Sequence, residues 1–302
     1  MSTPVSLTAG SSPTPVQRLF RLLGHAPLPK MQGLLWKLGI LASPSPQHFE
    51  VQFAGLKYRG RLDQLIDRHI YYLGAYSPVE LDFLRRIGEI LRKHRGTLTF
   101  VDIGANVGLH SLFMARRADW IAAFEPNEQA ADQFEANLRR NGLSTVTVHR
   151  HALGAEEGFG ELGSGFDGNS GSRSLTWSLD ASKNERVRVR HADRALAELA
   201  MARVDLIKID VEGYEKNVLE GLAATLRRDR PAIMFELVGT DTKGGFRSAA
   251  ELQGALYPDH CLFTLEGARK ARLAAFDWAG EEAVCLPREL VESSEDLKRM
   301  TQ

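Results

Sequence analysis

The sequence predicts an α/β fold built on a mostly parallel, doubly wound sheet of seven strands with helices on both faces. The first observation is the alternation of apolar strand patterns with helix patterns after residue 96, which is typical of such sheets. The second is the run Thr99–Gly108, an apolar strand that ends in Asp102 and enters a turn with two glycines. The third is Glu125, an acid at the end of the next strand. Because parallel strands place their carboxyl ends on one edge, we expect a ligand site there.

The segment before this core predicts a tail followed by a helical cap. Residues 1–46 are expected to be a flexible tail with two basic amphipathic helices, Gln17–Leu23 and Lys30–Leu41. We interpret these helices as packed on the core or as a mobile lid, with peripheral contact to a membrane surface as the alternative. Residues 47–95 are expected to form the N-terminal cap. It contains a short hairpin over 50–60 and the helices Arg61–Leu73 and Pro78–His94.

The remaining elements follow in order from residue 96. Residues 96–290 are predicted to form the ligand-binding domain, and residues 291–302 a C-terminal tail. The predicted strands are Leu98–Ile103, Trp120–Phe124, Thr145–His149, Val204–Ile209, Ala232–Leu237, Cys261–Leu265 and Ala283–Leu286. The predicted helices are Leu109–Arg117, Gln129–Asn141, Arg194–Met201, Glu215–Arg227 and Ser248–Leu256. The long Gly- and Ser-rich segment Gly160–Leu175 is predicted as a functional loop.

Composition excludes several classes of protein. Among 302 residues, 38 are Lys or Arg and 38 are Asp or Glu, so the formal net charge is zero. A balanced charge disfavours a nucleic-acid partner, because phosphate-backbone binding depends on clustered positive charge. The two cysteines, Cys261 and Cys285, do not make a disulfide framework and favour a reducing cytoplasm, although their strands are close enough to be neighbours. No apolar run approaches the ~18 residues of a transmembrane helix.

The glycine turn selects a class of ligand. A dinucleotide site usually carries three glycines, whereas Gly104 to Gly108 contains two at a different spacing. Asp102 immediately precedes the turn, and its carboxylate would repel a pyrophosphate. The same carboxylate suits a ligand with an amino group and a sulfonium, which indicates S-adenosylmethionine. Glu125 lies about twenty residues further on, where an acid accepts hydrogen bonds from ribose hydroxyls; the alternative is a plain surface charge.

A second charged run lies at the end of a later strand. Strand alternation over Leu206–Glu215 places Lys208, Asp210 and Glu212 on one side. Charges in a parallel strand are costly unless they are paired or face a wet cleft. The run is therefore either the floor of an active site beneath the methyl donor or an ion pair between Lys208 and Asp210 that fixes the loop.

These motifs together resemble the FkbM family of class I S-adenosylmethionine-dependent methyltransferases. The resemblance covers about residues 70–265 and depends most on the order of the glycine turn and the run Ile207–Glu215. It implies the Rossmann-like class I methyltransferase fold for residues 96–290. It also implies S-adenosylmethionine contacts from Asp102, Gly104, Ala105, Asn106, Gly108, Glu125, Pro126, Ala152 and Asp210.

The resemblance also implies a reaction. It is methyl transfer to a hydroxyl oxygen of a sugar, a glycan or a polyketide-type secondary metabolite. An alcohol needs help to act as a nucleophile, so Asp210 is the first candidate for the base or hydroxyl-orienting group and Glu212 the second. Lys208 is expected to keep a neighbouring carboxylate ionised. Glu236 is a candidate for the acceptor pocket or for a structural role. No metal is expected, because the usual carboxylate cluster of metal-dependent sugar methyltransferases is not evident.

Two alternatives belong to other functional classes. A nicotinamide-dependent oxidoreductase would use the same fold, although the glycine spacing disfavours it. A non-catalytic cofactor-binding module is the second, and the presence of Asp210 and Glu212 disfavours it. Histidines near the predicted strand ends, His149 and His151, are interpreted as solvated. His110, in the first turn after the glycine turn, is interpreted as a capping or surface residue, with contact to the cofactor as the alternative. No motif in the sequence identifies the methyl acceptor or the oligomeric state.

Overall fold

The computed structural model describes residues 13–24, 47–166, 168–176, 178–199, 201–237 and 245–302. Their contacts divide them into two compact units. Unit 1 contains the described residues up to Tyr76 together with residues 168–170, and unit 2 contains the others from Ser77 onward. The predicted helix Lys30–Leu41 lies outside the described residues.

Unit 1 is a hairpin with helices packed against it. Its elements are α1 (Pro15–Gly24), β1 (His48–Phe53), β2 (Leu56–Arg61) and α2 (Leu65–Leu73). The fully buried carboxylate of Asp67 in α2 accepts hydrogen bonds from the Tyr58 hydroxyl and from the Arg61 N–H, the latter at 2.7 Å. Because a buried carboxylate is costly without partners, these bonds fix α2 on the hairpin.

Helix α1 is the described part of the basic amphipathic segment. The Arg21 guanidinium lies 5.2 Å from the ring centroid of Tyr71, so one basic residue packs on α2. Leu19 and Leu22 are 53% and 72% exposed. Within the described ranges, no helix combines the length and the apolar character needed to cross a bilayer. Contact with a membrane surface stays a prediction.

Unit 2 contains the remaining helices and strands. Its first half comprises α3 (Pro78–Arg95), β3 (Thr99–Ile103), α4 (Leu109–Met114), β4 (Trp120–Phe124), α5 (Glu128–Arg140), β5 (Val146–His149), β6 (Ala152–Gly154), β7 (Gly158–Leu162) and β8 (Glu185–His191). Its second half comprises α6 (Ala192–Ala197), β9 (Leu206–Ile209), α7 (Glu215–Gly221), α8 (Ala223–Asp229), β10 (Ala232–Glu236), α9 (Ala249–Ala255), β11 (His260–Glu266), β12 (Arg272–Ala275), β13 (Glu282–Pro287), α10 (Arg288–Ser293) and α11 (Glu295–Met300).

The main sheet confirms the predicted fold class. Its order is β12-β11-β13-β10-β9-β3-β4-β5. Strands β5, β4, β3, β9 and β10 are parallel neighbours, and β13 runs antiparallel to both β10 and β11. The described sheet has eight strands rather than the predicted seven, because β12 pairs with the edge of β11. A cluster of buried apolar side chains joins one face of the sheet to helices α6 to α9.

A three-stranded sheet, in the order β6-β8-β7, was not expected from the sequence. Strand β7 occupies the start of the segment that we predicted as a loop from Gly160 to Leu175. Strand β8 alternates buried Val187 and Val189 with outward-facing arginines, which is the usual signature of a half-buried strand. That alternation is the signal that could have predicted the strand.

Other boundaries also differ from the expectations. Helix α3 belongs by its contacts to unit 2, whereas the predicted 47–95 cap grouped it with the hairpin of unit 1. Residues 291–302, expected as a tail, include α11 and the end of α10. The predicted helix Glu215–Arg227 is two helices that meet at Leu222. A Cβ on Gly221, at the end of the first, would lie 2.1 Å from the Gly154 carbonyl oxygen, so α7 sits tightly on β6.

The two cysteines are free, and the strand register keeps them apart. Cys261 on β11 is the cross-strand partner of Leu286, whereas Cys285 on β13 is the partner of Leu262. Because cross-strand partners share a face and successive residues alternate, the two thiols project from opposite faces of the sheet. The neighbouring strands therefore do not offer a disulfide.

Candidate active site

The register of the central strands brings the predicted charged side chains together. Asp102 on β3 is the direct partner of Lys208 on β9, so both project from the same face. The ladder continues past the strand ends, where the Asp210 N–H donates to the Ile103 carbonyl at 3.0 Å. The charged side chains thus meet where β3 and β9 end, on the edge predicted from the fold.

Gly104 allows the two turns at this edge to touch. Its φ is +81°, and a Cβ built there would lie 1.8 Å from the backbone oxygen of Asp210. Its N–H, like that of Ala105, donates to the Phe124 carbonyl at 3.0 Å. The absence of a side chain therefore permits a left-handed turn and a direct contact between two main chains.

Gly108, the second glycine of the turn, lies against an aromatic side chain. Its φ is +82°, and a Cβ there would lie 2.1 Å from the ring of Phe134 on α5. The lack of a side chain at Gly108 therefore lets the ring of Phe134 pack closely against the main chain. Contact of Gly108 with the cofactor stays a prediction.

Asp102 presents a buried oxygen that lacks a hydrogen-bond partner. The residue is 0% exposed, and its Oδ2 accepts a hydrogen bond from the Ser111 hydroxyl of α4 at 2.7 Å. Its Oδ1 has no hydrogen-bond partner among the described residues. A buried carboxylate oxygen in this state suits a ligand group that carries N–H donors.

Glu125 holds the glycine turn and the start of α5 at the same time. Its Oε2 accepts from the Asn106 N–H and its Oε1 from the Asn127 N–H, each at 2.7 Å. Each oxygen keeps a second lone pair that can accept from a ribose hydroxyl. Burial raises the pKa of Glu125 to about 7, against the two backbone hydrogen bonds, and the charge of Asp102 adds to the increase.

The other predicted cofactor residues lie near these two acids. Ala105 and Asn106 form the glycine turn, and Asn106 has a φ of +50°. Pro126 connects Glu125 to Asn127, whose side chain caps α5. Ala152 opens β6, beyond His149, whose carbonyl accepts a hydrogen bond from the Glu125 N–H at 3.0 Å.

Lys208 is a buried cation among carboxylates. It is 3% exposed, and its Nζ donates to Asp210 Oδ2 at 2.7 Å. Burial lowers the pKa of Lys208, but Asp210, Asp102 and Glu80 together raise it above its ordinary value. The ion pair between Lys208 and Asp210 is present as predicted, and it lies within the group of predicted site residues.

Three carboxylates converge beside this lysine. Oxygens of Asp210, Glu212 and Glu236 all lie within 4.8 Å of one another, close enough to hold a divalent cation. Burial, followed by the charge of Asp210, raises the pKa of Glu212 to about 7 and that of Glu236 to about 9. The sequence did not reveal this group, because the pairing of β9 with β10 brings Glu236 to it. The absence of a metal stays a prediction.

The turn that carries Glu212 is held from two directions. Strand β9 ends at Ile209, so Glu212 reaches its place through a turn with φ +55° rather than through the predicted strand alternation. The Glu215 carboxylate accepts from the N–H groups of Val211 and Gly213 at 3.1 Å. On the other side, the Glu212 carbonyl accepts from the Ser174 hydroxyl at 2.6 Å.

Several residues near the site were not singled out by the sequence. Glu80 of α3 is 8% exposed, and its Oε2 lies 2.9 Å from Nε2 of His110. His110 is itself 6% exposed, so its interpretation as a surface residue was wrong. Glu282 on β13 is the cross-strand partner of Glu236, and burial raises its pKa well above the ordinary value. Glu80 was missed because acids are common on the surface in the first turn of a helix, where the helix dipole stabilises them. The local sequence does not distinguish a buried acid there from an exposed one.

His149 and His151 pack on an aromatic ring rather than extending into solvent. Their ring centroids lie 4.9 Å and 5.4 Å from that of Phe124. Burial, with the neighbouring histidine and arginines, lowers the pKa of His151 to about 4. Both imidazoles are therefore expected to be neutral near pH 7, which suits a flat aromatic wall next to the Glu125 loop.

Comparison with known proteins places this site in a known domain. A family model for the methyltransferase FkbM domain matches residues 102–263, which is more than half of the chain. Methyltransferase 1 of Beauveria bassiana is 29% identical over 218 residues, 63% of this chain and 85% of that protein. Hexuronic acid methyltransferase AglP of Haloferax volcanii is 25% identical over 142 residues, 47% of this chain and 57% of that protein.

One solved structure that is similar to this chain is that of a methyltransferase FkbM. The crystal structure of methyltransferase FkbM from Methylobacillus flagellatus KT is similar with a TM-score of 0.41 at 17% identity, covering 72% of this chain and 52% of that chain. This chain thus spans about half the length of that solved chain. The residues matched by the family model include Asp102, Glu125, Lys208, Asp210 and Glu236.

Proposed function

Because the chain belongs to the FkbM methyltransferase family, we propose that it transfers the methyl group of S-adenosylmethionine to a hydroxyl oxygen. The observation that carries the choice of donor is the buried Asp102 Oδ1, which lacks a hydrogen-bond partner within the described part of the chain. An ammonium group would satisfy that oxygen, whereas a pyrophosphate would be repelled by it. The family match favours methyl transfer over the nicotinamide-dependent alternative.

The residues present fit the donor. Asp102 is proposed to bind its amino group, and the lone pairs of Glu125 that remain beside the two backbone hydrogen bonds are proposed to accept from its ribose hydroxyls. The bound donor supplies an electrophilic methyl group on a positively charged sulfur. Holding that methyl in line with the acceptor oxygen is the part of catalysis that the glycine turn and the neighbouring strand ends supply.

Asp210 is proposed to receive the acceptor's proton. As the new C–O bond forms and the S–CH3 bond breaks, the hydroxyl proton passes to a carboxylate. The Asp210 side chain is 36% exposed at the strand end and ion-paired with Lys208, so it is accessible to an acceptor and its carboxylate is held in one orientation. Glu212 is the second candidate. The acceptor is proposed to be a sugar, a glycan or a polyketide-type molecule. The similarity to AglP, a hexuronic acid methyltransferase, supports a saccharide.

The role of Asp210 is tested by Asp210→Asn, which keeps the shape of the side chain and removes its charge. We expect turnover to fall at least about 100-fold with the fold retained, because a general base contributes that much or more. The measurement is transfer of a labelled methyl group to glycan and polyketide extracts, with product mass and linkage as the readout. Glu212→Gln in the same assay shows which of the two carboxylates contributes more to turnover. Treatment with EDTA distinguishes a base from a metal ligand, because only an enzyme that needs a metal loses activity. A fully active Asp210→Asn enzyme would exclude the proposed role.

Donor binding is tested by titration calorimetry across pH. Ribose hydroxyls donate to the ionised form of Glu125, whose pKa is raised to about 7. Below that pH the carboxyl must lose a proton before it binds, so affinity for S-adenosylmethionine should fall by up to ~10-fold per pH unit. Glu125→Gln should lose this pH dependence of affinity and should bind S-adenosylmethionine ~1–3 kcal/mol more weakly at pH 8. Binding of NAD without binding of S-adenosylmethionine would refute the choice of donor.

A further inference from the structure

The turn that presents Glu212 depends on a residue far away in sequence. Ser174 lies in the segment between β7 and β8, is 1% exposed, and donates to the Glu212 carbonyl at 2.6 Å. The Thr176 hydroxyl lies 2.8 Å from the Ser174 hydroxyl and 3.4 Å from the same carbonyl. Two hydroxyls thus converge on one backbone oxygen of a residue in the left-handed region.

Ser174 is itself firmly anchored. Its carbonyl accepts from the Gly163 N–H at 2.7 Å, and its hydroxyl accepts from the Thr176 N–H at 3.0 Å. The adjacent Arg173 donates to the Gly163 carbonyl at 3.2 Å and to Glu185 at 2.9 Å. These bonds fasten the segment to the ends of β7 and β8, so the small sheet provides a rigid base for the hydroxyl.

The contact has energetic consequences for the turn. A non-glycine residue at φ +55° is strained and persists only where its surroundings determine the geometry. Glu215 holds the N–H groups of the turn, and Ser174 holds its carbonyl. The peptide orientation at Glu212 also fixes the direction of its side chain, which reaches the carboxylate group with Asp210 and Glu236.

We propose that Ser174 is a positioning residue, which acts through the Glu212 carbonyl to hold the Glu212 carboxylate against the acceptor site. The expected effect on turnover rests on the proposed function. The hydrogen-bond coupling between Ser174 and the Glu212 turn does not depend on that function. In this view residues 173–176 connect the small sheet to the turn that carries Glu212. No atom of Ser174 is required to touch the donor or the acceptor.

The test compares Ser174→Ala with Ser172→Ala. Ser172 is a matched control, since it is 4% exposed in the same segment and its hydroxyl accepts from the Phe166 N–H at 2.8 Å. Amide hydrogen exchange over residues 206–214 should become roughly tenfold faster in Ser174→Ala, because the turn loses a buried hydrogen bond. The control should exchange like the unmodified protein there. Equal exchange in all three proteins, or equal acceleration in both variants, would overturn the proposal.

Activity provides the second readout. For Ser174→Ala we expect kcat to fall roughly tenfold, with affinity for S-adenosylmethionine unchanged, because displaced catalytic groups slow the reaction without weakening donor binding. Faster exchange without methyl transfer in any of the proteins would refute the proposed function and leave the coupling intact. Should Ser174→Ala fail to fold, Thr176→Val removes only the second hydroxyl. Unchanged amide exchange over residues 206–214 in that folded variant would contradict the proposal.

Discussion

Gly104→Ala is expected to destabilise the protein by at least about 4 kcal/mol and to abolish donor binding. Two costs combine in this substitution. The first is the left-handed backbone at φ +81°, which costs a residue with a side chain ~1–2 kcal/mol. The second is the position of the new Cβ, 1.8 Å from the Asp210 carbonyl oxygen, which forces the ends of β3 and β9 apart. Urea denaturation and calorimetry with S-adenosylmethionine measure the two consequences.

Gly96→Ala is the matched control. Gly96 has nearly the same φ, +80°, and a Cβ there meets nothing within 4 Å. Its substitution therefore carries the backbone cost alone, and we expect a loss of ~1–2 kcal/mol with donor binding preserved. If the two variants were destabilised equally, the contact between the two turns would not be important for the site.

Lys208→Met should destabilise the protein by ~3–5 kcal/mol at pH 7, because it leaves carboxylates buried without their cation. Methionine keeps most of the volume of the lysine side chain, so the loss of stability measures the effect of removing the positive charge. Asp210, Asp102 and Glu80 raise the pKa of Lys208 above 10.5, its ordinary value. A raised folded-state pKa contributes stability that is complete below the unfolded-state pKa and is lost only as pH rises beyond it. The wild-type contribution is therefore complete at pH 7.

The variant has a characteristic pH dependence. Without the ammonium, the neighbouring carboxylates are expected to bind protons more readily in the folded state, so lowering the pH from 7 to 5 should recover part of the lost stability. Lys216→Met is the control, because Lys216 is a more exposed lysine paired with Glu251. Its loss should be at most ~1 kcal/mol with no such recovery. Equal losses in the two variants would show that the buried lysine is not a structural counter-ion.

The elements that were predicted well are those whose signal is local. The apolar strands ending in Asp102, Glu125 and Asp210 were readable because a buried parallel strand is a short hydrophobic run with a polar end. Their gathering at one edge follows from the handedness of the crossovers. The small sheet was missed because Gly-rich sequence suggested a loop, although the alternation in β8 was visible.

The parts of the site that were missed depend on contacts between distant segments. Glu236 joins Asp210 only through the register of β9 with β10, and Glu80 joins Lys208 through the packing of α3. Ser174 reaches the Glu212 carbonyl across 38 positions of sequence. A sequence pattern does not reveal strand register or the path of a loop. It therefore predicted the strand ends correctly and made Glu236 a candidate for the acceptor pocket, but it left Glu80 and Ser174 unassigned.

The two glycines of the glycine turn, Gly104 and Gly108, differ in whether a second mutation can compensate for their loss. At Gly108 the obstacle is the side chain of Phe134, so a smaller residue at position 134 is able to act as a second-site suppressor of the steric part of the defect. At Gly104 the obstacle is the main-chain oxygen of residue 210, which every amino acid at that position carries. No substitution at position 210 removes that atom. A screen for revertants of Gly104→Ala should therefore return true reversion to glycine and no suppressor at 210.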